Sequence, residues 1–212
     1  MIRLILVRHG QTAWNAQARY QGQADVPLDN VGQGQAKALG RRFTDEAIDV
    51  VYASDLQRAR MTAQSIGASH DLPVLADPRL REMDFGAWDG LTYEQIQARD
   101  AEALAAWQSD PLRISPPGGE TLAQVAARAG SVLDDVVRIH QKQTVLLVSH
   151  GGLLRLLLSL AMGLDPQALW RFRLDIASIS ELHLYPGDAV LVGLNDRHHL
   201  VPQNREEIAW VS

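Results

Sequence analysis

Short apolar runs alternate with segments of helical periodicity along most of the chain. The apolar runs predict strands over residues 2–7, 49–54, 73–76, 144–149, 179–185 and 189–194. Apolar residues at helical spacing predict helices over residues 32–44, 55–69, 92–108, 121–141 and 151–162. Strands and helices in alternation are typical of a layered α/β domain with a mostly parallel sheet.

Two connections refine this picture. Only Pro186-Gly187-Asp188, a turn signal, separates the last two predicted strands, so we expect a hairpin at one edge of the sheet. Residues 77–120 separate strand-like runs by more than a usual connection, and such segments are commonly lids or cap lobes. We predict one domain over residues 1–212, with a three-layer α/β/α fold. We expect a mostly parallel sheet of about six strands, of which one edge strand is antiparallel. The insertion at about 77–120 is expected to form a helical cap over the active site, and the polar tail over 195–212 is expected to lie on the surface.

Composition and charge narrow the class of protein. Of the 212 residues 46% are hydrophobic, which is ample for a core, and the net charge of -5 argues against a general binder of nucleic acid or anionic membranes. The absence of cysteine excludes disulfides, thiolate metal sites and a cysteine nucleophile. No signal-peptide pattern opens the sequence, and the most apolar late stretch, residues 151–164, contains Arg155 and is shorter than the ~20 residues that span a bilayer. We expect a soluble, cytoplasmic protein.

Candidate reactive residues lie at four places along the chain. Arg8 and His9 follow the first predicted strand, and Arg58 lies near the start of the helix after the second. Glu82 lies near the start of the insertion, and His150 follows the fourth strand. Each alone is more often structural, because a helical arginine usually faces solvent and a buried histidine is usually only hydrogen-bonded. In a parallel sheet, however, ligands bind beyond the carboxyl ends of the strands. Three strand ends therefore bring two histidines and two arginines to one edge of the sheet.

A phosphate monoester fits such a site best. Arginine binds phosphate bidentately, and Gly10, Gly151 and Gly152 permit close backbone approach near a helix N-terminus. Arg8 and Arg58 would repel a divalent metal. Ser149 is a poor nucleophile for a serine triad, since strand alternation directs it away from His150 and no G-x-S-x-G motif is present. The G-x-x-x-x-G-K-[ST] loop of nucleoside-triphosphate enzymes is also missing.

Five segments, in order over most of residues 2–152, resemble the histidine phosphatase superfamily in its phosphoglycerate-mutase-like branch. They are LVRHGQTAWN (6–15), RYQGQADVPLDNVGQGQA (19–36), ASDLQRARMTA (53–63), LREMDFGAWDG (80–90) and VSHGG (148–152). A lone RHG would be weak, whereas the full set is specific.

The resemblance implies a role for each matching residue. His9 would attack phosphorus and become a transient phosphohistidine, and Glu82 would protonate the leaving alkoxide and then accept a proton from water. The phosphoryl oxygens would be held by Arg8, Arg58 and His150. Further contacts to phosphate or substrate are expected from Asn15, Gln21, Gly22 and Gly151. No metal and no cofactor is implied, and the two arginines should lower the pKa of His9 by charge repulsion.

The activity within this branch stays open. Mutases of the family typically have a longer insertion and an E-R-H-Y-G-like run, whereas this chain has E-M-D-F-G at 82–86, which resembles the small-molecule phosphatases, including the broad-specificity and α-ribazole types. We favour a phosphomonoesterase for a small phosphorylated metabolite. The alternatives are a cofactor-dependent phosphoglycerate mutase and a non-catalytic phospho-ligand-binding protein. Trp88 and Trp107 would either line the substrate cavity or pack the insertion, and the edge hairpin offers a surface for a homodimer.

Overall fold

The computed structural model describes residues 1–200, which form one sheet with helices on both of its faces. The strands are β1 (Ile2–Arg8), β2 (Val50–Ala53), β3 (Val74–Ala76), β4 (Thr144–Ser149), β5 (Ile179–Tyr185) and β6 (Asp188–Asp196). The α-helices are α1 (Ala13–Ala16), α2 (Asn30–Phe43), α3 (Gln57–Gly67), α4 (Tyr93–Ser109), α5 (Leu122–Ile139) and α6 (Gly151–Ala161). Short 3-10 turns cover Ala68–His70, Pro78–Leu80, Gly86–Trp88, Pro166–Arg171 and His198–Leu200. Each predicted strand and helix is present, with ends that differ by a few residues.

The strand order in the sheet is β3-β2-β4-β1-β5-β6. The first four strands in this order are parallel, and β5 is antiparallel to both β1 and β6. This confirms the predicted mostly parallel sheet and its edge hairpin. The antiparallel strand is β5, one position inside the edge, and β6 forms the edge itself.

Apolar side chains of residues 4–7 alternate between the two faces of β1, which explains the uninterrupted apolar run there. Leu4 and Leu6 belong to the core cluster that contains residues of α5 and α6, whereas Ile5 and Val7 belong to the cluster that contains residues of α2 and α3. All four are at most 1% exposed. A strand segment covered on both faces has no position for a polar residue. Arg3, at the start of the strand, pairs with Glu46 and Glu181, and the next polar residue is Arg8 at its end.

Side-chain caps fix where the helices begin. The Thr121 hydroxyl accepts a hydrogen bond from the backbone N–H of Gln124 at the start of α5. Asp29 caps α2 in the same way by accepting from the N–H of Gly32 at 2.8 Å. Such caps each contribute about 1 kcal/mol.

The insertion at 77–120 contains two of the 3-10 turns and α4. At Asp100 the backbone leaves helical geometry (φ -133°, ψ 42°), and the Asp100 carboxylate accepts a hydrogen bond of 2.9 Å from the indole N–H of Trp88. Trp88 is fully buried, so it packs the insertion. Trp107, by contrast, lines two cavities.

The end of the described chain covers part of the predicted tail. Asn195 and Asp196 complete β6, and a 3-10 turn follows at His198–Leu200, while residues 201–212 lie outside the described residues. Across residues 1–200, no helix combines the length and the apolar character that a bilayer crossing requires.

Candidate active site

The carboxyl ends of β1 and β4 place two histidines side by side. These strands are parallel neighbours in which Arg8 is paired with Ser149, so the next residues, His9 and His150, also lie together. Their rings are 5.0 Å apart between centroids, and each residue is at most 3% exposed. Arg58, from the first turn of α3, is fully buried beside them. The predicted convergence of strand ends is therefore present.

The hydrogen bonds of His9 define which ring nitrogen is reactive. Nδ1 lies 2.7 Å from the carbonyl oxygen of Gly10. Because a carbonyl can only accept, Nδ1 carries the proton and Nε2 keeps its lone pair. Burial, followed by the charges of Arg58 and Arg8, holds the pKa of His9 well below 6.5. His9 is thus a neutral imidazole with a nucleophilic Nε2 at neutral pH.

His150 has the opposite tautomer. Its Nδ1 accepts a hydrogen bond of 3.1 Å from Nε of Arg58, an atom that always carries hydrogen, so the proton of His150 is on Nε2. This Nε2 is buried and has no hydrogen-bond partner among residues 1–200. Burial, then Arg58 and His9, keeps the pKa of His150 well below 6.5. His150 is therefore a neutral hydrogen-bond donor adjacent to the ring of His9.

Arg58 is held by a loop that precedes it by more than 30 residues. Its Nη1 and Nη2 donate to the carbonyls of Ala24 and Gly22 at 2.8 and 2.6 Å. A Cβ on Gly22 would lie 2.5 Å from the carbonyl oxygen of Met83, so the close approach of these two loops requires glycine here. Burial lowers the pKa of Arg58 to about 10, and the guanidinium remains charged at neutral pH.

Arg8 supplies a second buried cation. Nη1 donates to the carbonyl of Leu174 at 2.7 Å, while Nε is buried without a partner in the described part of the chain. Burial lowers the pKa of Arg8, and Glu82 opposes that shift. Its guanidinium lies against Gly151, where an added Cβ would be 3.1 Å from Cζ. The absence of a side chain at Gly151 thus lets Arg8 pack over the start of α6.

Two further candidates follow β1, Asn15 in α1 and Gln21 in the loop after this helix. Gln21 is buried, and its Oε1 accepts from the hydroxyl of Thr12 at 2.9 Å. Its Nε2 is another buried donor with no partner within residues 1–200. Asn15, the third residue of α1, forms a capping box with the N-cap residue Thr12, and its Oδ1 accepts from the backbone N–H of Thr12 at 3.1 Å. Asn15 is thus connected to Gln21 through Thr12.

Glu82 lies at the N-terminus of α6. Its Oε2 accepts from the N–H of Gly152 at 2.8 Å, and Oε1 accepts from the N–H of Leu153 at 3.1 Å and of Met83 at 3.0 Å. A Cβ on Gly152 would collide with this carboxylate. The two glycines after His150 therefore have different tasks, since Gly151 accommodates Arg8 and Gly152 accommodates Glu82.

Comparison with known proteins decides the family. Residues 4–197 match the family model described as histidine phosphatase superfamily (branch 1). The chain belongs to the histidine phosphatase superfamily. This confirms the resemblance seen in the five sequence segments.

Relatives within the superfamily have different names. Phosphoserine phosphatase 1 of Hydrogenobacter thermophilus is 36% identical over 94% of this chain and 95% of its own length. A probable phosphoglycerate mutase of Yersinia enterocolitica is 36% identical over 86% of this chain and 85% of its own. The crystal structure of the alpha-ribazole phosphatase from Shigella flexneri superposes with a TM-score of 0.86 at 34% identity, covering 92% of this chain and 96% of that one. These relatives support a phosphatase or mutase activity.

Sequence reasoning did not identify the residues that hold the histidine phosphatase site in place. Asp89 accepts from the N–H of Gly22 at 2.5 Å and of Ala24 at 3.1 Å, and so fixes the loop that holds Arg58. Burial raises the pKa of Asp89 against the effect of these two donors. Asp89 is within the matching segment 80–90, which was the available signal.

Sequence reasoning also did not identify Arg128 on α5, which holds the loop that carries Glu82 through hydrogen bonds. Its guanidinium donates to three backbone carbonyls of this loop at 2.5 to 2.9 Å, those of Arg79, Arg81 and Glu82. It also forms a 2.9 Å ion pair with Glu120, which accepts from the N–H of Asp84. The backbone is thus fixed on both sides of Glu82. In the sequence, Arg128 resembles any solvent-facing helical arginine.

The acidic and histidine side chains of the site do not form a metal-binding set. No group of three or more His, Asp or Glu side chains within residues 1–200 could hold a metal ion. The hydroxyl of Ser149, the residue before His150, donates a hydrogen bond of 2.7 Å to the carbonyl of Leu80. Its proton is therefore directed to Leu80 and not to His150. Positive charge at this site comes from arginine.

Proposed function

We propose that this histidine phosphatase is a phosphomonoesterase that acts on a small phosphorylated metabolite through a phosphohistidine on His9. The observation that carries the proposal is the hydrogen bond from Nδ1 of His9 to the Gly10 carbonyl. It leaves an unprotonated Nε2 in a site with two buried cations, which is the form of imidazole that attacks phosphorus.

In the first step, Nε2 of His9 bonds to phosphorus as the bond to the ester oxygen breaks. The buried donors without a partner in the described chain, Nε of Arg8, Nε2 of His150 and Nε2 of Gln21, are suited to the nonbridging oxygens. Glu82 enters this step as the carboxylic acid, gives its proton to the departing alkoxide and becomes the carboxylate. An unmet buried donor is costly unless a ligand satisfies it, so these groups favour an anion.

In the second step, water attacks the phosphoryl group and the bond to Nε2 breaks. Glu82 now accepts the proton of that water, which restores the starting state and releases inorganic phosphate. Asn15, Gly22 and Gly151 contact the phosphate or the substrate in this scheme and transfer no proton. Arginine neutralises charge throughout, so the scheme requires neither metal nor cofactor.

The test is to trap the intermediate. The enzyme is mixed with p-nitrophenyl phosphate in EDTA and denatured in alkali, where phosphohistidine survives, and the phosphorylated peptide is identified by mass spectrometry. We expect the phosphoryl group on His9, no phosphopeptide in His9→Ala, and wild-type labelling in His183→Gln, whose ring pairs with Glu181 on β5. Binding of phosphate without turnover would instead indicate a non-catalytic protein.

The name of one 36%-identical relative keeps a mutase as the second candidate. A mutase returns the phosphoryl group to another hydroxyl of the bound product, whereas a phosphatase transfers it to water. Incubation with 3-phosphoglycerate distinguishes the two. We expect free phosphate to exceed 2-phosphoglycerate, and the reverse ratio would favour the mutase.

A further inference from the structure

A narrow cavity lies against the proposed acid. It has a volume of about 70 Å³, and Glu82 and Gly152 form part of its wall. The remaining wall is mainly apolar and aromatic, including Met83, Phe85, Trp107, Leu156, Leu169 and Trp170. Since Glu82 must reach the ester oxygen, this cavity receives the first atoms of the leaving alcohol, a conclusion that rests on the proposed function.

A wider cavity of about 270 Å³ continues from the same wall. It is lined by Tyr20, Trp107, Gln108, Pro111 and Trp170, and it shares Trp107, Pro111 and Trp170 with the inner cavity. The indoles of Trp107 and Trp170 meet edge to face with centroids 6.3 Å apart, and Trp170 is 55% exposed. An exposed tryptophan at the entrance of an aromatic cleft is suited to a flat apolar group.

Arg155 gives this apolar cleft a charge. It lines the inner cavity, its Nε donates to the carbonyl of Gly151 at 3.0 Å, and its guanidinium stacks 5.4 Å from the ring centre of Trp170. Among residues 1–200, no carboxylate lies within ion-pair distance of Arg155. Of the described residues lining the two cavities, Glu82 is the acidic one and Arg155 the basic one. Both terminal nitrogens of a fixed guanidinium are therefore left for an anion.

Trp107 adds a second donor to the same wall. It is 5% exposed, and its indole N–H is buried without a partner in the described chain. Buried tryptophan normally donates this hydrogen. The cleft thus combines an apolar surface with an unmet N–H and an unpaired guanidinium.

We infer that the substrate class is phosphate monoesters of alcohols that carry a carboxylate near the ester oxygen and a flat apolar group beyond it. The carboxylate binds Arg155, and the apolar group packs against Trp107 and Trp170. Arg155 lines the cavity that contains Glu82, whereas the two tryptophans also line the outer cavity, so the carboxylate lies nearer the ester oxygen than the apolar group does.

Three synthetic substrates separate the two parts of this inference. 2-Phospho-3-phenyllactate has both groups, 1-phenyl-2-propyl phosphate replaces the carboxylate by methyl, and 2-phospholactate replaces the phenyl group by hydrogen. We expect wild-type kcat/KM to be about tenfold higher for the first compound than for either of the others, because each lacks one contact. Equal or lower kcat/KM for the first compound overturns the inference.

Variants of Arg155 then test the anion site. In Arg155→Met the ratio of kcat/KM between phenyllactate and phenylpropyl phosphates should fall from about ten to about one, chiefly through KM, while Arg155→Lys should retain part of it. Arg138→Met is the matched control, since this arginine is 70% exposed, and it should keep the wild-type ratio. An unchanged ratio in Arg155→Met overturns the anion site.

The failure of this inference can be told apart from failure of the proposed function. If p-nitrophenyl phosphate labels His9 but the three substrates are equivalent, the substrate class is wrong and the phosphohistidine mechanism stands. If no substrate labels His9, the proposed function itself fails, and with it the assignment of the cleft to a leaving group.

Discussion

The two sides of the site are built in different ways. On the phosphate side, His9 and His150 extend from neighbouring parallel strands whose register fixes them to one another. On the leaving-group side, Glu82 is in a loop without strand pairing, held by the side chains of Arg128 and Glu120. The backbone of the central sheet thus sets the two histidines side by side, whereas side chains of α5 and of the insertion hold the loop that carries Glu82.

This difference matches what each side has to recognise. A phosphoryl group has the same charge and shape in every monoester, so a rigid set of buried donors serves all substrates. The alcohol varies, and loops on a rigid scaffold are where such variation is accommodated. Residues that choose the substrate are therefore expected among those of the insertion and α6, including Trp107 and Arg155, rather than at the strand ends.

The largest effect is expected on the phosphate side, from His9→Ala. Without the nucleophile, turnover of p-nitrophenyl phosphate should fall by about 10⁴-fold or more. Phosphate should still bind, because Arg8, Arg58 and His150 remain. Steady-state kinetics and calorimetric titration with inorganic phosphate measure the two properties. Residual activity within tenfold of wild type would remove His9 from the proposed role.

Replacing the acid should have an effect that depends on the leaving group. In Glu82→Gln, kcat for an alkyl phosphate should fall by about 10²- to 10³-fold, because an alkoxide needs a proton to depart. For p-nitrophenyl phosphate the loss should be much smaller, since nitrophenolate leaves without one. Kinetics on the two substrates give the ratio. Equal losses would show that Glu82 acts on the phosphate side, and the comparison between the two sides would fail.

The buried histidines should also make the phosphate side acid-sensitive. The pKa values of His9 and His150 lie well below 6.5 in the folded chain and near 6.5 in the unfolded one, so below pH 6.5 the unfolded state binds more protons. The contribution of these histidines to the free energy of unfolding has its full value above this pH. It decreases as the pH falls, by up to about 1.4 kcal/mol per pH unit for each histidine.

Urea unfolding at pH 7.5 and 5.5 measures this loss. The decrease in unfolding free energy should be smaller in His9→Asn and in His150→Asn than in the wild type, and smallest in the double variant. A decrease of the same size in all four proteins would contradict the assignment of two neutral, buried rings.

The same difference between the two sides explains which parts of the molecule could be predicted from the sequence. An apolar run that ends in a charged residue predicts a buried strand, and the charged residue marks the end at which that strand reaches solvent or a ligand. The position of His9 and His150 therefore follows from the order of strands and helices. The fold and the phosphate side could be predicted on this basis, and the five motif segments identified the family.

The leaving-group side follows from contacts that the sequence does not display. Arg128 reaches the loop of Glu82 across 46 residues, and its helical spacing gives no sign of this contact. Asp89 holds Gly22 across 67 residues. Arg155 was visible as a charge within an apolar helix, but its position over Trp170 depends on how the chain after α6 packs. Tertiary packing, rather than local pattern, decides these residues.

The smallest predicted effects come from two adjacent glycines and compare the two sides directly. A Cβ at position 152 meets the carboxylate of Glu82, whereas one at position 151 lies 3.1 Å from Cζ of Arg8. We expect Gly152→Ala to lower kcat for alkyl phosphates about tenfold, with less effect on p-nitrophenyl phosphate. Gly151→Ala should raise KM about threefold for both substrates, because only a phosphate contact is displaced.

Stability separates these effects from damage to the fold. Alanine is a better helix former than glycine by up to about 1 kcal/mol, so neither variant should be destabilised by its backbone. Gly130→Ala on α5 is the matched control, since nothing lies within 4 Å of its added Cβ, and it should keep full activity with slightly higher stability. If Gly151→Ala and Gly152→Ala change the same kinetic constant on both substrates, the two sides act as one unit. If they differ as expected, two neighbouring residues report separately on phosphate binding and on proton transfer.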